Sequence, residues 1–124
     1  MKRTYFAIAI LMLLFAAGCA TLQQRQATAY KILATTASIY DTSMKSLRVL
    51  YDQGLLTEEE KQMAIQAGLV FWTAWHEAEI AVEIWFATED PAAENRALVL
   101  IDQLQKRFSE MMEILRPLLA RATA

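Results

Sequence analysis

The sequence predicts an all-α fold: an up-down-up antiparallel three-helix bundle following a cleaved N-terminal signal peptide. Three observations predict it. Apolar residues recur at alternating spacings of three and four along nearly the whole chain, the period of a helix and not of a strand. Breakers are scarce, with three glycines and two prolines in 124 residues. Gly54 and Pro91 fall between the periodic stretches, where breaks are needed. The first eighteen residues have the make-up of a leader and stand apart from the bundle.

In that leader, Lys2 and Arg3 supply a basic start, and Tyr5 to Ala17 follows without a single charge. At 1.5 Å per residue this run spans roughly 20 Å, short of the ~30 Å hydrocarbon core of a bilayer. A cleaved signal therefore fits better than a permanent span. Ala16-Ala17-Gly18 then leads into Cys19, the only cysteine in the chain. This ending resembles the lipobox of bacterial lipoproteins, with Ala16 standing where Leu is most frequent. The resemblance implies cleavage before Cys19, a thioether-linked diacylglycerol on Cys19, and an acyl chain such as palmitate on the new amino terminus. One acyl chain holds a protein to a membrane only marginally, whereas two or three anchor it. In Gram-negative lipoproteins an Asp after the cysteine favours inner-membrane retention. Ala20 thus implies an outer-membrane location facing the periplasm. The resemblance covers the leader alone and names a processing class. The plain alternative is a small buried cysteine within an uncleaved anchor.

The expected organisation is a signal peptide over 1–18, then the lipidated Cys19 with a short tether or helix start to residue 26. The bundle covers 27–121 and a frayed tail 122–124. Cleavage leaves 106 residues, enough for one domain with one core. Loss of Lys2 and Arg3 leaves ten basic against fourteen acidic residues, a net of −4. An acidic surface argues against nucleic acid and against docking on anionic lipid by charge. No second cysteine exists to form a disulfide, so packing alone must hold the domain.

The first helix is expected from about Thr21 to Gln53, with Thr21 and Gln24 as a capping box. Its seam is Tyr30, Leu33, Ala37, Tyr40, Met44, Leu47 and Tyr51. Gly54 suits the left-handed position that ends a helix. Thr57 with Glu60 forms a capping box for the second helix, and Glu58, Glu59 and Glu60 complement its positive end. That helix should reach about Thr88 along the seam Ala64, Gly68, Phe71, Trp75, Ala78, Val82, Trp85. Asp90-Pro91 caps and opens the third helix. Its seam is Ala97, Ile101, Leu104, Phe108, Met111, Leu115 and Leu118, and Pro117 is expected to kink or end it near Arg116. The short connections make neighbouring helices antiparallel.

The second helix is apolar nearly all round. Phe71, Trp75 and Val82 lie on one side, Leu69, Ile80 and Ile84 on another, and Ala67, Ala74, Ala78 and Ala81 on a third. Such a helix is usually buried. A wide face serving both neighbours explains this, and so does an open side that docks on a partner or a second copy. Trp72, Trp75, His76, Glu79, Glu83 and Phe86 form the candidate interaction or ligand face within it. One His with two carboxylates is a poor metal site, and the sequence has no second His. No metal and no cofactor is assigned. The alternative is a structural polar network. Antiparallel register places Glu83 near Arg96, Trp72 near Arg107, and His76 near Gln103 and near Thr35 and Thr36. A Glu83–Arg96 pair would then fix alignment.

Recognised catalytic motifs are missing. There is no phosphate-binding glycine loop, no Gly-x-Ser-x-Gly elbow and no His-Glu-x-x-His helix, since His76-Glu77 lacks its second His. The reading is therefore not an enzyme. Two functions follow. One is a membrane-anchored lipoprotein acting as a structural or protein-interaction module of the cell envelope. Its contacts would be the membrane through Cys19 and an envelope protein or second copy through the second helix. The other is a periplasmic carrier of a small ligand or metal, using the aromatic and acidic face of that helix, with Trp85 as a further ring.

Overall fold

The computed structural model describes residues 2–123, with side chains described from Leu22 onward. Three long helices, α1 (Lys2–Asp52), α2 (Glu58–Thr88) and α3 (Pro91–Leu119), run up, down and up. A 3-10 turn over Ala120–Thr123 closes the chain. No strand occurs among the described residues. The expected cleavage point and Cys19 lie outside the residues whose side chains are described.

Each helix end has a chemical cause. Gly54 sits at φ 76°. Leu55 N–H donates to Leu50 O at 2.9 Å and Gly54 N–H to Tyr51 O at 3.0 Å. This pair of bonds is a Schellman closure, and it needs the left-handed residue that glycine supplies most cheaply. Thr57 then starts α2 with a complete capping box: Glu60 N–H donates to the Thr57 hydroxyl at 3.1 Å, and Thr57 N–H donates to the Glu60 carboxylate at 3.0 Å. Glu89 ends α2 in the left-handed region at φ 51°. Asp90 caps α3 by accepting from Ala92 N–H at 3.2 Å, with Pro91 in the first turn.

Two expected boundaries differ. No helix start falls at Thr21, because α1 begins at Lys2 and runs through that position. Nothing in the sequence between them breaks a helix: there is no proline, and Gly18 is a lone residue costing about 1 kcal/mol relative to Ala. Among the residues whose side chains are described, Leu22 is the first that packs against the core. Pro117 also neither ends nor interrupts α3, which continues to Leu119. A proline this close to a helix end removes one backbone bond, and buried Leu115 and Leu118 hold the last turn on the core.

The core lies along the axis between the helices. Phe71, Trp85, Leu104 and Leu115 are fully enclosed there. The expected seams of α2 and α3 are buried, with Trp75 and Phe108 at its margins. The registers also hold: Phe71 meets Phe108 at 5.8 Å between ring centroids, and Tyr40 meets Phe71 at 5.3 Å. The α1 seam differs. Leu33 and Leu47 face inward as expected, but the other inward residues are Ala29, Thr36, Ser43 and Leu50. Tyr30 is 66 % exposed. The rings of Phe71 and Trp85 already fill the centre, so α1 turns its small residues toward them. Tyr40, Met44 and Tyr51 are left at the α1–α2 edge. Buried Thr36 satisfies its hydroxyl by donating to Ile32 O at 2.7 Å.

Candidate functional site

The candidate residues of α2 do not form one site. Trp72, Trp75 and His76 are brought together, and Tyr40 of α1 joins them. The Trp72 and Trp75 rings stack in parallel at 5.0 Å, and Tyr40 stacks on Trp72 at 5.3 Å. His76 sets its ring edge-on against both indoles, at 4.7 and 5.5 Å. Aromatic pairs at these distances prefer such offset and edge arrangements. Trp75 Nε1–H donates to Leu33 O at 2.8 Å, which ties α2 to α1. Its polar handle is therefore spent on the fold.

Phe86 lies apart from this ladder. It packs edge-on against Trp85 at 5.4 Å. Ten residues separate it from His76, about 15 Å along the helix. Trp85 is 0 % exposed and belongs to the core. Its Nε1–H has no partner among the described residues, an uncommon state for a buried donor. A small ligand enclosed by Trp72, Trp75, Trp85 and Phe86 together is not compatible with these positions.

Glu79 is half-buried and Glu83 is exposed. The expected Glu83–Arg96 pair is not formed, and neither residue takes part in an ion pair among the described residues. Glu83 is open to solvent, whereas Glu79 is partly covered. His76 stands exposed against its own helix, and no hydrogen bond joins it to Gln103, Thr35 or Thr36 among the described residues. Gln103 and Arg107 line a shallow recess with Thr73, Ala74 and Glu77. The α2–α3 register is thus as expected, while α2 presents a different edge. No cluster of three or more His, Cys, Asp or Glu suited to a metal ion occurs among the described residues.

Long-range ion pairs fix alignment elsewhere. Arg25 of α1 donates to Glu94 of α3 at 2.6 Å. Arg121, past the end of α3, donates to Leu55 O at 3.1 Å and to Glu60 at 2.6 Å. Glu60 thereby serves its cap and a clamp at once. The Arg121 guanidinium, aided by the Thr57 backbone, pulls its carboxyl down to about 2. Sequence reasoning missed this clamp, since residues 61 positions apart leave no local signal.

The clearest surface feature is the outer side of α2. Leu69, Ile80 and Ile84 are 54 %, 57 % and 50 % exposed, and Ile65 and Met63 are also open. Ile65, Leu69, Ile80 and Ile84 fall within roughly 100° of arc on a 3.6-residue turn, opposite Phe71. They form two exposed apolar pairs, Ile65 with Leu69 and Ile80 with Ile84, and exposed Thr73 and His76 lie between the pairs on the same side of the helix. Among the described residues no helix is long and apolar enough to cross a membrane. Comparison with known proteins gives no match, whether to family models, curated proteins or solved structures.

Proposed function

We propose that the chain is a lipid-anchored lipoprotein of the bacterial cell envelope, a structural or protein-interaction module and not an enzyme. The anchor rests on the leader and Cys19. The interaction role rests on one observation, the exposed apolar residues Leu69, Ile80 and Ile84, a stripe broken by Thr73 and His76 on the open side of α2. A helix that already buries Phe71, Ala78, Val82 and Trp85 has no need of that stripe for its own core. An acidic domain that lacks charge attraction to anionic lipid would depend on its acyl chains for membrane residence. The carrier reading is weaker, because Trp75 is tied to Leu33 and Trp85 lies in the core.

The intact mass of the protein recovered from host membranes tests the anchor. The expected result is a chain starting at Cys19 with diacylglycerol and acyl mass added, and no such mass on a Cys19→Ser variant. An unprocessed chain without lipid overturns it. A photoreactive residue in place of Ile80 tests the contact face. Discrete adducts are expected there, and none from the same residue in place of Lys106 on α3. Equal labelling at both positions removes the case for α2.

A further inference from the structure

We propose that a second copy of this chain, standing parallel to the first, covers the Ile80 and Ile84 side of α2. The pairing presupposes the α2 contact face and the lipid anchor at Cys19. Ile80 and Ile84 are 57 % and 50 % exposed. Each flank of this pair carries an exposed charge that forms no ion pair among the described residues. On one flank is Glu83, about 60° from Ile80 on the helix wheel, on the side where Trp72 meets Tyr40 of α1. The other flank belongs to α3, where Gln103 and Arg107 line a recess with Val70, Thr73, Ala74 and Glu77. Arg96 lies about three helical turns before Arg107, so it shares that edge of α3 and stands beside Ile84. Phe71 meets Phe108 at 5.8 Å, and the antiparallel register that follows puts Arg96 at the height of Glu83.

A parallel two-fold copy satisfies both charges. Rotation about an axis running along the exposed isoleucines exchanges the two flanks at constant height. Glu83 of each copy then faces Arg96 of the other, and the isoleucines close on one another. Two turns along, His76 and Glu77 stand on the same two flanks and face each other across the axis in the same way. An antiparallel copy would instead set the Glu79 and Glu83 flank against itself, like charge on like. A basic foreign helix would leave Arg96 unpaired, and anionic lipid would meet Glu83. The acidic first turn, Glu58, Glu59 and Glu60, lies about 30 Å away along α2, where the usual crossing of packed helices has parted the copies. Exposed ion pairs supply orientation more than affinity. The isoleucine contact also falls well short of the roughly 1,600 Å² of a typical stable complex. Lipid on Cys19, at the same end of every copy, sets the parallel sense and raises the effective concentration in the leaflet.

The test uses full chains carrying two different tags, co-expressed in the host, with a photoreactive residue in place of Ile80 in one of them. Irradiation is expected to give an adduct that carries both tags. Glu83→Arg in both copies, or Arg96→Glu in both, should lower that adduct about tenfold, since each reversal turns two attractions into like-charge contacts. A Glu83→Arg copy beside an Arg96→Glu copy should recover it, because each charge again meets its opposite in the other chain. No effect within a single chain restores the mixed pair while leaving both uniform pairs broken. Circular dichroism is expected to be native for every variant. Failure of the mixed pair to recover, or equal adducts throughout, overturns the parallel copy. Adducts with lipid or another protein alone keep a contact face on α2 and overturn its occupant. No adduct of any kind removes the contact face as well.

Discussion

Gly68 is the position where the packing of α1 on α2 can be tested most directly. A methyl group built there would run into the Met44 Cε atom and come within 3.1 Å of Tyr40 Cε2. In an exposed helix interior, Gly→Ala stabilises by about 1 kcal/mol through propensity. Here the added carbon is also an overpacking event, which costs about 1–3 kcal/mol. Tyr40 cannot retreat freely, because it is stacked against both Phe71 and Trp72 at 5.3 Å. Met44 Cε, the free end of a flexible side chain, can swing aside at little cost, so the stacked Tyr40 ring is the obstacle that remains. Gly68→Ala is expected to destabilise by about 1 kcal/mol in the native background, a fall in Tm of roughly 4–8 °C for a domain of this size. In a Tyr40→Leu background the fixed obstacle is gone, and the same change should stabilise by about 1 kcal/mol. The assay is a double-mutant cycle by urea unfolding, with an interaction energy of about 2 kcal/mol expected. Equal effects of Gly68→Ala in both backgrounds would refute the close approach of α1 to α2 at this position.

Other predictions rest on single groups. The folded Glu60 carboxyl lies near 2 against an ordinary 4.5, so its stabilisation is complete above 4.5 and is lost as pH falls toward 2. Glu60→Gln keeps a side-chain acceptor for the cap. Its Tm should lie below the native value at pH 7 and converge on it near pH 2, and a gap that stays constant across that window would contradict the Arg121 clamp. Glu89 holds a left-handed conformation that costs an L-residue about 1–2 kcal/mol. Glu89→Gly should stabilise by about 0.5–1 kcal/mol after the extra freedom of the unfolded glycine is subtracted. Gly54→Ala, at φ 76° with open space around it, should destabilise by about 1 kcal/mol through backbone strain alone. Chemical unfolding of this pair checks both, and effects of the same sign would exclude the assigned turn geometry.

The parts of the fold legible in the sequence were those set by local chemistry. Thr57 with Glu60, Gly54, and Asp90 with Pro91 each satisfy orphan backbone groups within a few residues, so the turns could be placed to the residue. Short turns then fixed antiparallel register, and Phe71 meets Phe108 where the spacing requires. The rotation of α1 was not legible. Tyr30, Met44 and Tyr51 are the larger apolar residues, and size alone nominates them for the core. Burial of Ala29, Thr36 and Ser43 follows only once Phe71 and Trp85 are known to fill the axis. The same gap explains the candidate site. Trp72, Trp75 and His76 converge because they share a helical edge, but Tyr40 completes their stack from another helix. Glu83 and Arg96 lie at matching heights without meeting, since register sets height and only rotation sets facing.

The exposed isoleucines of α2 separate the demands of the fold from those of a partner. Ile ranks below Ala in helix propensity by a few tenths of a kcal/mol, because its branched Cβ loses freedom against the preceding turn. At 57 % and 50 % exposure, Ile80 and Ile84 recover only part of the burial that offsets this cost elsewhere. Replacing both with Ala should therefore leave the Tm of the isolated domain within about 2 °C of the native value. A fall of many degrees that is unchanged on dilution would mean these residues stabilise the bundle itself, and the case for a contact face on α2 would go. A fall that disappears on dilution would instead place a second copy on the stripe. With stability unaffected and adducts from position 80 abolished by the neighbouring Ile84→Ala change, the isoleucines would be held in place by binding, since the helix alone gains little from them.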